Sequence, residues 1–213
     1  IDAKLKSAGL LAKAPTLLAD FDASKFKEEY DFLADAPASA SLEGYLFPDT
    51  YQFKKDADLS AIAGKILDNF GVKLSDDLRS EIYNQGKTIY EVITMASIIE
   101  KEVITEQDMK LASGILWRRL EIGMPLQVDA AVAYGAGHSD LTYADLKTDS
   151  LYNTYTRKGL PKGPISNPGL QAIKAALYPT QSEYLYYLSK PTGETVFSKT
   201  LEEHNKAKNK YLK

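Results

Sequence analysis

The sequence predicts an α+β domain of mixed helices with a small β-sheet, and three observations carry that expectation. Apolar residues recur at helical spacing in successive stretches between residues 59 and 121, such as Leu59, Ile62, Ala63, Ile66 and Phe70. Near the C-terminus, YLYYLSKPTGETVFS reads as two strands joined by a Pro-Thr-Gly turn, a β-hairpin. The 213 residues, 44% hydrophobic and 26% charged, suffice for one sizeable core with at most a small accessory piece.

The elements follow in order. Residues 1 to about 35 suggest two short helices, the first stopped by Gly9 and the second running through DASKFKEEYDFL. ADAPASAS (34–41) has the composition of a linker, dividing a helical lead (1–40) from the main domain (41–213). LEGYLFPDTYQF (42–53) is extended, with a turn at Pro48-Asp49. DLSAIAGKILDNF forms an amphipathic helix closed by Gly71, and SDDLRSEIYNQG another, capped by Ser75 and leaving at Gly86. A third begins at or just after Thr88. Thr105, with Asp108 three residues on, starts a fourth that stops at Gly123. MPLQVDAAVAYGAG passes from extended chain to a short apolar run and a Gly turn, and SDLTYADLKT has a helix-start signature. The stretch 152–169 is rich in glycine and proline, and loops of such length inside compact domains are commonly functional. NPGLQAIKAALYP is a helix with Pro168 near its first turn, and a polar helix follows the hairpin. No internal repeat or low-complexity tract interrupts this order.

Composition narrows the chemistry. There is no cysteine, which excludes disulfides and thiolate metal sites, and only His138 and His204 could serve a histidine-based site. A net charge of −3 gives no reason to expect a nucleic-acid partner, and no run approaches the ~18 apolar residues of a membrane helix. P-loop, dinucleotide, HExxH and GxSxG motifs are absent. Carboxylates and aromatics remain. On a helix turning about 100° per residue, Ile89, Val92, Ile93, Ala96, Ile99 and Val103 share one arc, and Glu100 falls inside it. Glu102 points about 200° from Glu100, near Glu91 at the arc's edge. A carboxyl buried on an apolar stripe stays protonated to higher pH, as general-acid cleavage of a glycosidic bond requires. The alternative is a partly exposed carboxylate at a helix end, or one paired with a basic side chain. Further candidates are Glu43, Tyr45, Asp49 and Tyr51 in LEGYLFPDTY, Gln127 and Asp129 in LQVD, and the tyrosines and asparagine of the 152–169 loop. Fourteen tyrosines are a generous supply of ring faces for stacking on sugars, though most tyrosines simply pack.

LEGYLFPDTY, ASIIEKE, LQVDAAVAYG and YNTYTRKGLPKGPISNPG, in this order and spacing, resemble the endolytic murein transglycosylase family, the MltG or YceG-like proteins. The resemblance runs from about Leu42 to near the C-terminus, while residues 1–40 resemble the segment that follows a LysM-like subdomain. The chain begins in mid-pattern, as a fragment lacking that subdomain and the family's membrane anchor would. The resemblance implies cleavage of the MurNAc–GlcNAc β-1,4 bond inside nascent peptidoglycan strands, leaving 1,6-anhydroMurNAc ends, with no metal or organic cofactor. It implies that Glu100, the first glutamate of EKE, is catalytic and that Glu102 supports it. Glu43, Asp49, Tyr51 and Gln127 are expected to bind sugar or orient Glu100, Tyr152, Asn153 and Tyr155 to line the groove, and Asp129 to stand behind them. For each polar residue a buried structural hydrogen bond is the competing role. Glycan strands are the expected partner, together with cell-wall synthesis proteins at the extracytoplasmic face of the bacterial cytoplasmic membrane. A non-catalytic glycan-binding or scaffold module is the alternative.

Overall fold

The structure is a computed structural model that describes residues 21–212. It is an α+β arrangement of seven α-helices and one antiparallel hairpin among those residues. The helices are α1 (Leu59–Lys73), α2 (Asp76–Asn84), α3 (Ile89–Glu102), α4 (Glu106–Glu121), α5 (Asp129–Ala136), α6 (Leu170–Leu177) and α7 (Leu201–Tyr211). Strands β1 (Tyr186–Ser189) and β2 (Thr195–Ser198) lie between α6 and α7, in the register Tyr187 opposite Phe197. The first expected helix lies outside the described residues.

Helix α3 is the axis of the molecule. Its N-terminus is closed by a capping box in which the Thr88 side chain accepts from the Glu91 amide while Glu91 accepts from the Thr88 amide. Asp35 adds a second cap from outside the helix, accepting from the Ile89 amide at 2.6 Å. From Val92 to Ile99 every residue is buried, Thr94 and Ser97 included. The helix is therefore surrounded rather than one-sided. Helix α6 packs along it, and α4 packs against both. The approach of α4 to the chain after α6 is close enough that a Cβ on Gly114 would stand 2.1 Å from the Thr180 carbonyl oxygen. On the opposite side Phe32, Tyr45 and Phe70 form an aromatic cluster, with the Phe32 and Phe70 ring centres 4.9 Å apart.

Several local expectations are corrected. The segment expected as a second helix forms two 3-10 turns, Ala23–Phe26 and Asp31–Leu33, because Phe26, Phe32 and Leu33 turn inward together to reach one core. The residues with linker composition are packed: Ala36 and Ala40 are buried, Ala23 donates to the Ala40 carbonyl, and Asp35 caps α3. Gly71 does not end α1, which continues to Lys73 with Phe70 buried and Gly71 against Phe32. The apolar run after LQV is helical (α5), and SDLTYADLKT contains only the 3-10 turn Asp145–Lys147. Pro168 lies just before the N-cap of α6, Gly169.

The long loop 152–169 is fixed to α3 and to the 42–47 segment. Ser97 Oγ accepts from the Ile165 amide at 3.0 Å, and Ser166 Oγ donates to the Ser97 carbonyl at 2.9 Å. Asn167 Oδ1 accepts from the amides of Gly44 and Leu46, while its Nδ2 donates to Glu43 Oε1 at 2.7 Å. Gly44 adopts φ +95°, and a Cβ there would stand 2.6 Å from Pro164.

Candidate active site

A cleft of about 610 Å³ opens where the C-terminal end of α3 meets α4, the 126–130 segment, the hairpin and α7. Glu102 is in it, on the last turn of α3. Burial pushes the Glu102 carboxyl up to about 7. A hydrogen bond from the Tyr187 hydroxyl opposes this by favouring the anion, and the charge of Asp129 reinforces it. Tyr187 comes from β1, where the hairpin register turns its ring under the end of α3, and burial holds its hydroxyl well above the ordinary phenol range.

Asp129 opens the first turn of α5 and accepts from the Tyr155 hydroxyl at 2.5 Å. Burial and this bond together raise the Tyr155 phenol. Gln127 also lines the cleft, with a backbone φ of +52° that L side chains seldom adopt. Its amide donates to the Thr154 carbonyl at 3.0 Å, and Thr154 Oγ1 accepts from the Val128 amide at 2.9 Å. The strained turn is thus held by the neighbouring loop, at a site-facing position where such strain commonly collects. Arg119, only 5% exposed, forms part of the cleft wall; its Nε donates to the Leu185 carbonyl and its Nη1 to the Leu126 carbonyl. Those bonds tie the start of the hairpin to the LQV segment.

Of the residues singled out in the sequence, Gln127, Asp129 and Tyr155 meet Glu102 in this cleft. Glu100 does not line it. Its Oε2 accepts from the Gly169 amide at 3.1 Å, the N-cap of α6, where a carboxylate complements the helix dipole. Helical phase puts Glu100 on the apolar stripe and Glu102 at its edge, whereas the carboxyl that burial raises in this cleft is that of Glu102. Glu43 is bound to Asn167. Asp49 is exposed, pairs with Lys73 at 3.3 Å and accepts from the Thr50 amide. Tyr51 donates to the Phe47 carbonyl at 2.7 Å and stacks on Phe53. Asn153 is buried and donates to the Thr148 carbonyl, while Tyr152 packs against Tyr134. None of these five lines the cleft. Tyr187 and Arg119 escaped the sequence reading, since a tyrosine in an apolar strand and an arginine late in a helix carry no distinguishing pattern.

The YceG-like family model matches residues 4–210. The chain belongs to the YceG-like family. It is 44% identical over 174 residues to an endolytic murein transglycosylase of Bacillus subtilis, covering 80% of this chain and 48% of that one. It is 33% identical over 204 residues to an endolytic murein transglycosylase of Streptococcus pneumoniae, covering 92% of this chain and 35% of that one. Its structure is similar to a crystal structure of a yceG-like protein of Listeria monocytogenes, with a TM-score of 0.80 and 41% identity over 97% of this chain and 69% of that one. This YceG-like chain thus spans about half or less of the length of the curated relatives it matches.

Proposed function

We propose that this chain carries the catalytic centre of an endolytic murein transglycosylase, with Glu102 as the acid. The observation that supports this is a single one: a carboxyl raised to about 7 by burial, in an open cleft of about 610 Å³. At neutral pH about half of such groups still hold the proton and can deliver it to a glycosidic oxygen. In the proposed reaction Glu102 protonates the oxygen leaving MurNAc C1 as that bond breaks. The resulting carboxylate takes the proton from the C6 hydroxyl of the same MurNAc, whose oxygen bonds to C1 and closes the 1,6-anhydro ring. Because that hydroxyl is already tethered, bringing it to C1 costs little entropy. The Tyr187 hydrogen bond favours the anionic stage, so the carboxyl is served in both halves of the cycle. No metal or organic cofactor enters this chemistry.

A second carboxylate in the same cleft, Asp129, gives specific support to a second reading, hydrolysis. Two carboxyl groups flanking a glycosidic bond can activate water or form a glycosyl-enzyme intermediate. Digestion of purified glycan strands separates the readings by mass, since anhydro and hydrolysed ends differ by one water. The proposal expects anhydro products from the wild type, none from Glu102→Gln, and retained cleavage by Glu100→Gln. Loss of cleavage in Glu100→Gln with retention in Glu102→Gln would return the acid role to Glu100. Strand binding with no product from the wild type would leave a glycan-binding or scaffold module. On the proposed reading the protein acts at the extracytoplasmic face of the bacterial cytoplasmic membrane, beside cell-wall synthesis proteins. Among the described residues no helix is long and apolar enough to cross a membrane.

A further inference from the structure

Helix α7 brings to the cleft wall a histidine whose two ring nitrogens meet different surroundings. The helix starts at a capping box formed by Thr200 and Glu203, and it packs on both strands of the hairpin. In its first turn the His204 amide donates to the Thr200 carbonyl at 3.0 Å. The half-buried imidazole stacks on the Tyr186 ring, with centres 5.3 Å apart and planes 26° from parallel. His204 and Tyr186 both line the cleft that holds Glu102. Nδ1 of His204 is buried with no hydrogen-bond partner among the described residues, so Nε2 is the ring nitrogen left for the cleft.

A neutral imidazole carries one proton, donating at one nitrogen and accepting at the other. A proton on Nδ1 would bury an N–H with no acceptor, an arrangement that folded proteins seldom keep. On Nε2 the same proton faces the cleft. A second proton is opposed by burial and by the charges of Lys208 on the same helix and Arg119 on α4, which hold the imidazole below its ordinary range. The acidic residues of that turn are engaged elsewhere, Glu202 with Lys206 and Glu203 with the amides of Lys199 and Thr200. At neutral pH His204 is thus a donor and not a cation.

We propose that His204 is a glycan-binding residue, donating a hydrogen bond from Nε2 to a hydroxyl or acetamido oxygen of the sugar in the cleft. This rests on the reading of the cleft as the place of glycan cleavage. The acid then comes from α3 and the donor from α7, so two elements hold the strand. A donor at that wall sets where the strand stops along the cleft, and hence which glycosidic oxygen lies at Glu102. A histidine kept only to pack on Tyr186 could as well be a phenylalanine.

The test sets the donor against the stack. His204→Phe keeps a ring on Tyr186 and has no donor, whereas His204→Gln loses the ring and places an amide N–H near the position of Nε2. Each is made in the Glu102→Gln protein and titrated by calorimetry with a soluble, peptide-free GlcNAc–MurNAc tetrasaccharide. The proposal expects His204→Phe to weaken binding about fivefold or more, as the loss of one hydrogen bond would, and His204→Gln to stay within about twofold of its parent. A packing role predicts the opposite order. Heteronuclear NMR of the imidazole nitrogens gives a reading that needs neither variant to fold: the unliganded protein should show His204 protonated at Nε2, with that resonance shifting when the tetrasaccharide is added. A proton on Nδ1, an unchanged affinity in His204→Phe, an equal loss in His204→Gln, or a parent that does not bind the tetrasaccharide each overturn the assignment. Failure of the transglycosylase reading shows elsewhere, as absence of strand cleavage by the wild type.

Discussion

Replacing Glu102 by Gln should stabilise the protein above neutral pH while removing its activity. In the folded chain the carboxyl titrates near 7, against 4.5 for an unperturbed glutamate. The folded state therefore holds a proton that the unfolded chain has released, throughout the window between those values. Stability falls as pH rises across that window, and the loss is complete above the folded value. Integrating the two titrations gives a wild-type loss of about 2.5 kcal/mol between pH 5 and pH 8 from this one group. Gln has the same shape, carries no charge to desolvate, and its carbonyl oxygen still accepts from Tyr187. Urea unfolding of both proteins at pH 5 and pH 8 measures the difference directly. Wild type should lose about 2.5 kcal/mol more than Glu102→Gln over that interval. Parallel losses in the two proteins would refute the claim that Glu102 is desolvated, and the argument for its acid role would go with it.

Four further outcomes are expected. The kcat/KM for strand cleavage should fall as pH rises through about 7, because the acid must enter protonated, and Tyr187→Phe should move that limb to higher pH by removing the bond that favours the anion. Glu100→Ala should cost about 1–3 kcal/mol in a denaturant melt through the orphaned Gly169 amide, while Glu100→Gln, which keeps an acceptor, stays near wild type. Gly114→Ala should cost about 1–3 kcal/mol or more in the same assay, since its Cβ would meet the Thr180 carbonyl at 2.1 Å and backbone must move. Arg119→Met should lower the thermal midpoint by loosening the Leu185 and Leu126 carbonyls together, with the near-UV signal of the hairpin tyrosines changing at temperatures where α3 is intact.

Much of the fold was legible because it is written in local chemistry. Thr88 with Glu91 and Thr105 with Asp108 announce the starts of α3 and α4, and the Pro-Thr-Gly turn announces the hairpin. Elements whose form depends on distant partners were not legible: the 3-10 turns near residue 30 exist because three inward side chains must reach one core. The placing of Glu102 rather than Glu100 in the cleft has the same origin. Helical phase tells inside from outside only for a helix with one buried face, and α3 is buried all round from Val92 to Ile99. Which of its last two glutamates enters the cleft is decided by β1 and α7, more than eighty residues later in the chain. Gln127, Asp129 and Tyr155 stand in distinctive motifs and line the cleft, while Glu43, Asp49, Tyr51, Tyr152 and Asn153 stand in equally distinctive motifs and do not line it.

On the proposed function, the anchoring of the 152–169 loop bears on the speed of the reaction rather than on its chemistry. A segment so rich in glycine and proline invites the picture of a flap that shuts over its substrate. Its amides and side chains are instead committed to Ser97, Glu100, Glu43 and the turn at Gly44. On the proposed reading a glycan strand therefore meets Tyr155, the residue of this loop that lines the cleft, already in its working place, with no closing motion to wait for and little chain entropy to surrender on arrival. Turnover should then be paced by bond cleavage or by threading of the polymer, and amide hydrogens of Ile165 and Gly169 should exchange as slowly as those of the helix they are fastened to.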